Sequence, residues 1–311
     1  MQKTVKSAIR FNGIGLHTGK PVRMEIEPAS AGYGIWFQRT DVLEGDNMIP
    51  ARWDVVEQSP LCTKIKNADG VTVSTIEHIM AALAGCGVHN ALISLDGPEV
   101  PIMDGSSAAF VKTILARGLV EQSATIRAIK VLKPVSVSRE DGDDVARAEL
   151  YPSENLEIDF HIDFEDEAIG AQHRTLNMAN GTFVRELCDC RTFCRQADVE
   201  AMQANGLALG GVPGENAVVF DGARVQSGKG LRRMDEPVRH KMLDALGDLY
   251  TAGFPILGRY VGHRSGHAMT NKLLRALMSD PEAFRIVECS VETAARLPGV
   301  GASMAEMPAV A

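Results

Sequence analysis

The chain has 311 residues, 45% of them hydrophobic and 23% charged, and its formal net charge is −8. Such a composition is that of a globular protein too long for one small core, so we expect two domains. The acidic balance argues against a nucleic-acid backbone as the main ligand, while a local basic pocket for phosphate stays open.

The sequence contains no recognisable targeting or membrane-spanning segment. Residues 1–20 lack the apolar core of a signal peptide, and the apolar run 79–88 is too short to span a bilayer. We therefore expect a cytoplasmic protein without a transmembrane segment, whose six cysteines are reduced thiols. Cys188, Cys190 and Cys194 cluster as CDCRTFC. The paired C-x-x-C spacing of zinc sites is missing, which favours plain thiols near a loop over a metal site.

In chain order, the first half begins with strand-like alternation, and Asp69-Gly70 then marks a hairpin turn. A helix ended by glycine, a strand and a second helix follow. The predicted elements of this half are a strand at 22–27, a helix at 74–85, a strand at 90–95 and a helix at 107–117.

The strand pattern restarts near residue 125, and helices again come later. Both halves therefore place strands first, which favours two α+β layers over a Rossmann alternation. The weakly patterned residues after Pro298 are expected to be flexible. The predicted elements of this half are several strands between 126 and 164, helices at 182–187 and 198–204, a glycine-rich turn at 206–211, a strand at 216–220, and helices at 235–250 and 271–278.

The predicted helix 235–250 carries ionisable residues at helical spacing. His240, Asp244 and Asp248 stand at i, i+4 and i+8 and share one face, with Lys241 nearby. A histidine one turn before an aspartate can place an imidazole nitrogen and a carboxylate oxygen on one metal ion. The alternative is a solvated polar face with ordinary i, i+4 pairs, and the helix alone favours that alternative.

The segment at 74–78 has two interpretations. Ser74 and Glu77 have the S-x-x-E spacing of a capping box, in which Glu77 only bonds the amide at the helix start. In the functional interpretation, Glu77 holds a water beside a metal-binding His78, as in zinc hydrolases. A catalytic zinc needs three protein ligands and an open position. His78 can supply one ligand, and His240 and Asp244 can supply the other two.

His267 precedes the last predicted helix. It is either a polar loop residue or an imidazolium held by Asp248. The segment GIGLHTGK is not a P-loop, because Lys20 is followed by Pro21 rather than by serine or threonine. The sequence also contains neither a G-x-S-x-G elbow nor an H-E-x-x-H motif.

Taken together, these segments resemble one family. They occur in the order found in the UDP-3-O-acyl-N-acetylglucosamine deacetylases, the zinc amidases of lipid A biosynthesis. The resemblance covers about residues 2–285, and seven blocks in order make it specific. The blocks are GIGLHTGK, STIEHIMAAL, EVPIMDGS, RTF, GLALGG, VRHKMLDALGDL and SGHAMTNKLL.

The resemblance implies an α+β fold of two domains. Each would be a helix layer packed on a β-sheet with a small insert, and the active site would lie between them. On this chain the domains would be 1–125 and 126–298, followed by a flexible tail at 299–311. The second insert, around 191–221, would shape an apolar passage for the fatty acyl chain.

The resemblance also implies a metal site. His78, His240 and Asp244 would bind Zn²⁺, with Fe²⁺ as the alternative metal in vivo. Glu77 would be the general base that activates water.

Further roles are implied for residues of the second half. His267, tuned by Asp248, would be the acid that protonates the leaving amine. Thr192 would donate a hydrogen bond to the oxyanion, and Phe193 would line the sugar pocket. Lys241 would meet the diphosphate or the sugar.

The implied reaction is hydrolysis of the N-acetyl group of UDP-3-O-acyl-N-acetylglucosamine, giving UDP-3-O-acyl-glucosamine and acetate. The expected partner is this UDP-linked substrate and no nucleic acid, and a monomer is expected although the sequence does not fix the oligomeric state. One alternative is a metal amidase for another acylated sugar or amine. Another is a non-catalytic binder of sugar nucleotides, which would be expected to lack Glu77 or a ligand. Cys194 stands where family members often carry glycine, so the acyl-chain preference is not predicted.

Overall fold

The first half of the chain builds a β-sheet covered by helices. The structure, a computed structural model, describes residues 1–59, 61–141, 144–228 and 230–309. The elements of the first half are β1 (Lys3–Val5), β2 (Ile9–Ile14), β3 (Pro21–Pro28), β4 (Ile35–Arg39), β5 (Met48–Pro50), β6 (Val56–Glu57), β7 (Lys64–Lys66), β8 (Thr72–Val73), α1 (Glu77–Cys86), β9 (Ala91–Leu95), α2 (Ala108–Arg117) and β10 (Leu119–Glu121).

The main sheet of this half has the strand order β2-β3-β9-β4-β5. Its pattern follows from side-chain alternation: in β3, Val22, Met24 and Ile26 are buried while Arg23 is exposed. Strands β6, β7 and β8 form a separate small sheet, and its last turn contains the predicted Asp69-Gly70 pair. Helix α1 is buried along its whole length.

The second half builds another sheet and carries the helix with the row of ionisable residues. Its elements are β11 (Arg127–Val131), β12 (Val135–Asp141), β13 (Asp144–Pro152), β14 (Leu156–Asp163), β15 (Ala171–Asn177), α3 (Thr182–Glu186), β16 (Phe193–Arg195), α4 (Gln196–Ala204), β17 (Val218–Asp221), β18 (Arg224–Gln226), α5 (Glu236–Tyr250), β19 (Ile256–His263), α6 (His267–Ser279), β20 (Phe284–Glu288) and α7 (Val291–Ala294).

The large sheet of this half is centred on β19. Strand β19 pairs antiparallel with β13 and parallel with β14, so the neighbouring strands run in the order β12-β13-β19-β14-β15. Strands β11 and β20 extend the sheet near the start of β19. Strands β16, β17 and β18 form a small separate sheet beside α4. Strands β16 and β17 lie within the predicted insert 191–221, whereas β18 lies just after it. The α+β fold class is therefore confirmed.

Helices α1 and α5 pack against each other and join the two halves of the chain. Gly247 permits the contact, because a Cβ atom at this position would lie 2.0 Å from the carbonyl oxygen of Glu77. Gly85, near the other end of α1, faces Phe183, whose ring carbon would lie 2.0 Å from an added Cβ. The start of α1, with Glu77 and His78, is therefore held beside the middle of α5.

Several predicted boundaries differ from the observed ones. Helix α1 begins at Glu77 rather than near residue 74, and α6 begins at His267 rather than at 271. The segment after Pro298 makes ordered contacts: Gly299 lies against Gly87, and Arg185 pairs with Glu306.

The domain boundary at 125/126 and the flexibility of the tail 299–311 stay predictions, and residues 310–311 of that tail lie outside the described part. Among the described residues, none of the helices has the length and apolar character that a bilayer span requires.

Candidate active site

The three predicted metal ligands lie together where α1 meets α5. The Nε2 atoms of His78 and His240 lie 3.6 and 3.3 Å from Oδ1 of Asp244. The two imidazole rings are 5.0 Å apart at 84°. All three side chains are buried, and their ligand atoms lie within 4.8 Å of one another. These three side chains are therefore able to hold one metal ion.

The main chain fixes the orientation of His240. Its Nδ1 lies 3.0 Å from the carbonyl oxygen of Cys190. Because a carbonyl can only accept, Nδ1 carries the proton and Nε2 keeps its lone pair for a metal. Burial lowers the pKa of His240 to about 4, although Asp244 opposes this shift. The imidazole is therefore neutral near pH 7, as a ligand must be.

Asp244 is a buried carboxylate, and one of its two oxygens accepts no hydrogen bond from the described residues. Lys241 Nζ lies 2.9 Å from Oδ2, whereas Oδ1 has no hydrogen-bond partner among the described residues. Burial alone would raise the pKa of Asp244, but His240 and Lys241 hold it well below its usual range. A buried, ionised oxygen without a hydrogen bond is costly, and a cation at this point would satisfy it.

Glu77 is buried beside the ligands and does not cap its helix with Ser74. The N-cap position is Ile76, which makes no side-chain cap, and Oε2 of Glu77 accepts a 2.9 Å hydrogen bond from the Thr63 amide. The capping-box interpretation is therefore wrong. Burial raises the pKa of Glu77, while His267 and His78 oppose the rise. A carboxylate tuned this way is suited to accept a proton near neutral pH.

His267 is the first residue of α6 and belongs to the same buried group. Its Nδ1 lies 2.9 Å from Oδ2 of Asp248, and its Nε2 lies 3.9 Å from Oε1 of Glu77. The other oxygen of Asp248 accepts a 2.5 Å hydrogen bond from the Thr63 hydroxyl. Burial alone would lower the pKa of His267, but Asp248 and Glu77 raise it to about 9. The loop-residue interpretation therefore does not describe its surroundings.

The ionisable group opens into a cavity of about 710 Å³. Its wall carries both ionisable and apolar side chains, so it can take a ligand with a polar head and an apolar chain. Glu77, His78 and Asp248 lie behind this wall. Residues of the predicted site on the wall are Thr192, Phe193, His240, Lys241, Asp244 and His267, and apolar ones include Leu16, Phe164, Val199, Met202, Ala208 and Val219.

Thr192 and Phe193 are held in place by the main chain and by aromatic packing. The Thr192 amide donates to the Gly105 carbonyl at 2.7 Å. The Phe193 ring lies edge-on to Phe164, with centroids 5.6 Å apart, and 6.4 Å from the His240 ring. Both residues therefore stand on the cavity wall next to the ligand helix.

His17 is a cavity residue to which the sequence reasoning gave no role. Both of its ring nitrogens are buried without a hydrogen-bond partner among the described residues. Its loop is anchored by Glu99, which accepts from the amides of His17 and Thr18 at 2.8 and 2.9 Å. The only signal for His17 in the sequence was its place in the GIGLHTGK block. Local periodicity cannot reveal the hydrogen bonds from this loop to Glu99, which is about eighty positions later.

Comparison with known proteins shows which family the chain matches. Residues 2–279 match the family model described as UDP-3-O-acyl N-acetylglycosamine deacetylase. A UDP-3-O-acyl-N-acetylglucosamine deacetylase of Phenylobacterium zucineum is 50% identical over 285 residues, 92% of this chain and 96% of the relative. One from Shewanella frigidimarina is 43% identical over 304 residues, 96% of this chain and 97% of the relative.

Proposed function

Because this chain belongs to the UDP-3-O-acyl N-acetylglycosamine deacetylase family, we propose that it hydrolyses the N-acetyl group of UDP-3-O-acyl-N-acetylglucosamine. Water adds across the amide C–N bond, so that the products are acetate and the free 2-amino sugar, an early step of lipid A biosynthesis. The observation that supports this most is the convergence of a three-ligand cluster, a buried carboxylate and a charged imidazole beside one cavity.

The donor set fits a catalytic metal ion. Two imidazoles and one carboxylate suit Zn²⁺, and the unpartnered oxygen of Asp244 supports a cation here. We infer that His78, His240 and Asp244 hold Zn²⁺, with Fe²⁺ as the alternative. When bound, such an ion would act as a Lewis acid toward the amide carbonyl and the attacking water.

Glu77 is proposed as the general base. Its Oε2 is engaged by the Thr63 amide, and its Oε1 faces His267. The raised pKa suits a group that takes a proton from water and releases it later. The hydrogen bond from Thr63 to Oε2 orients the carboxylate, so that Oε1 can accept the proton from water.

His267 is proposed as the general acid. An amine leaves poorly without a proton, and the imidazolium supplies one from Nε2 while Asp248 holds Nδ1. Asp248 thus has the role of the aspartate that orients the catalytic histidine in a Ser-His-Asp triad. Thr63 contacts both proposed groups. Its amide donates to Glu77, and its hydroxyl donates to Asp248, which in turn holds His267.

Substrate contacts are assigned to the cavity wall. The Thr192 hydroxyl would donate to the oxyanion, an interaction worth about 3 kcal/mol in comparable sites. Phe193 would line the sugar pocket. Lys241 is proposed to meet the diphosphate or the sugar, although its Nζ also bonds Asp244 in the structure.

The insert 191–221 is proposed to hold the 3-O-acyl chain. Helix α4, strand β17 and the connection between them give the cavity part of its apolar wall, including Met202, Val219 and Ala208. An acyl chain buried there would fix the sugar, and hence its amide, over the catalytic groups. A cytoplasmic location and a monomeric state stay predictions.

Mass spectrometry of reaction mixtures tests the proposal directly. The metal-loaded protein is incubated with UDP-3-O-acyl-N-acetylglucosamine, and loss of the acetyl group is expected in the parent but not in Glu77→Gln. No loss with metal-loaded parent would overturn it. Equal turnover of unrelated N-acetylated sugars would favour a broader metal amidase instead.

A further inference from the structure

Three histidines form a row across adjacent strands of the second sheet. His173 on β15 pairs with His161 on β14, and His161 pairs with His263 on β19. Side chains that face each other on neighbouring strands have Cβ atoms about 5 Å apart. Alternation along β14 also puts Asp159 on the face that carries His161, while Phe160 between them points into the core.

Two of the imidazoles converge on one carboxylate oxygen. The Nε2 atoms of His173 and His161 lie 2.8 and 3.1 Å from Oδ1 of Asp159. The rings are stacked, with centroids 3.8 Å apart and planes at 7°. The side chains of His161 and His173 are 38% and 53% exposed, so an ion can reach them from solvent.

Hydrogen bonds alone account for only part of this arrangement. They satisfy Oδ1 of Asp159 with two donors, while Arg259 occupies Oδ2. The next histidine in the row, His263, has a buried Nδ1 with no hydrogen-bond partner among the described residues. His263 therefore leaves one ring nitrogen of the row without a protein partner among the described residues.

We propose that Asp159, His161 and His173 form a second metal site, which binds a divalent transition-metal ion of the Zn²⁺ class. Imidazole and carboxylate are the ligands that such ions prefer. Arg259 on Oδ2 orients the carboxylate, as outer partners of metal ligands do, and an ion bound at Oδ1 would replace the imidazole contacts to that oxygen. Because the two rings are stacked, each would turn to direct its Nε2 at a bound ion, and their exposure leaves room for that rotation.

The charge state of the cluster is compatible with metal binding. Burial and the neighbouring His173 lower the pKa of His161 although Asp159 opposes the shift, so this imidazole is neutral near pH 7. Burial would raise the pKa of Asp159, but hydrogen bonds from Arg259 and His173 lower it, so the carboxylate is ionised.

An ion at this position would cross-link the rim of the sheet. Strand β15 pairs only with β14 among the described strands, and the chain after it passes through α3 to Cys190 and Thr192. A ligand that binds only the folded chain stabilises it by mass action. The second site is therefore inferred to be structural, and its occupancy is independent of the deacetylation chemistry.

Metal stoichiometry tests this inference. The parent and the variants His161→Asn and His173→Asn are loaded with Zn²⁺, dialysed against micromolar Zn²⁺ and analysed by atomic emission. Two ions per chain are expected in the parent and one in each variant. Asp163→Asn, an exposed change on the same face of β14, is the matched control and should keep two.

Two further readouts separate this site from the catalytic one. His240→Ala should keep one ion while losing deacetylation, whereas His161→Asn should deacetylate at the parental rate. Added Zn²⁺ should raise the Tm of His240→Ala but not that of His240→Ala combined with His161→Asn. Equal zinc contents in the parent and in the two histidine variants would overturn the second site.

Discussion

His267 and Asp248 form a buried ion pair: Nδ1 of the histidine lies 2.9 Å from Oδ2 of the aspartate. Burial alone would lower the pKa of His267, yet the pKa is raised to about 9 by Asp248 and Glu77. The ordinary value is 6.5, so the stability that this pair contributes is fully present below pH 6.5. It is lost as the pH rises through about 9.

Asp248→Asn should lower the pKa of His267, because the main negative partner of the imidazolium is removed. We expect the basic limb of the kcat profile to move to lower pH and kcat to fall at pH 8. Values of kcat measured from pH 5 to pH 10 test this. Because Glu77 and His267 interact, the two apparent pKa values of the profile describe the pair rather than either residue alone. Thr63→Val, which keeps the carboxylate, should shift the limb less. An unmoved limb would mean that His267 is not the acid.

Glu77→Gln should separate metal binding from turnover. The carboxylate is not among the three converging ligand atoms, so metal content should stay at the parental level. Removal of a general base typically costs about 100-fold or more in kcat. Metal analysis and initial rates provide the measurement, and His240→Ala is the contrasting variant, which should lose the catalytic ion and activity together. Metal loss in Glu77→Gln would contradict the assignment.

Gly247→Ala should destabilise the protein and disturb the site. A Cβ atom there would meet the Glu77 carbonyl oxygen at 2.0 Å, so α1 and α5 must separate. Such overpacking lowers the free energy of unfolding by about 1–3 kcal/mol. It should also move His78 on α1 away from His240 and Asp244 on α5. Urea unfolding and metal content measure the two effects. Gly228→Ala, in open space, is the control and should change neither.

The acyl chain should contribute to turnover. Burial in the cavity is worth about 0.8 kcal/mol per methylene, which is roughly fourfold in kcat/KM for each one. UDP-N-acetylglucosamine, which lacks the chain, should therefore be a far poorer substrate. Kinetics with a series of chain lengths measure the slope, and equal efficiency with and without the chain would refute a role for the insert. Met202→Trp should shorten the preferred chain because Met202 lines the cavity.

Helix α5 was predictable because the sequence pattern that marks it is local. The i, i+4, i+8 spacing of His240, Asp244 and Asp248 is set by helix geometry alone, and the ligand cluster is built on it. The solvated-face alternative failed because α5 is covered on almost every side, including its polar face. Periodicity reports which residues share a face but not what another segment places over that face.

Other features depend on contacts between distant segments. The Thr63 hydroxyl reaches Asp248 across 185 positions, and nothing in the local sequence around Thr63 indicates this bond. Strand β15 was not predicted, because its exposed positions alternate with half-buried ones and it lacks the run of buried apolar residues that usually marks a strand. The histidine row was therefore invisible until the register of β14, β15 and β19 was known.

The orientation of His240 rests on a main-chain atom, the Cys190 carbonyl, rather than on a side chain. Any residue that keeps the local backbone can provide that carbonyl, whatever its side chain. A substitution at Cys194, which lines the cavity, would therefore leave this carbonyl in place, whereas Cys188 and Cys190 are fully buried and constrained by packing. Drift at Cys194 could reshape the neighbouring cavity wall, and with it the accepted acyl chain, while the hydrolytic centre stays intact.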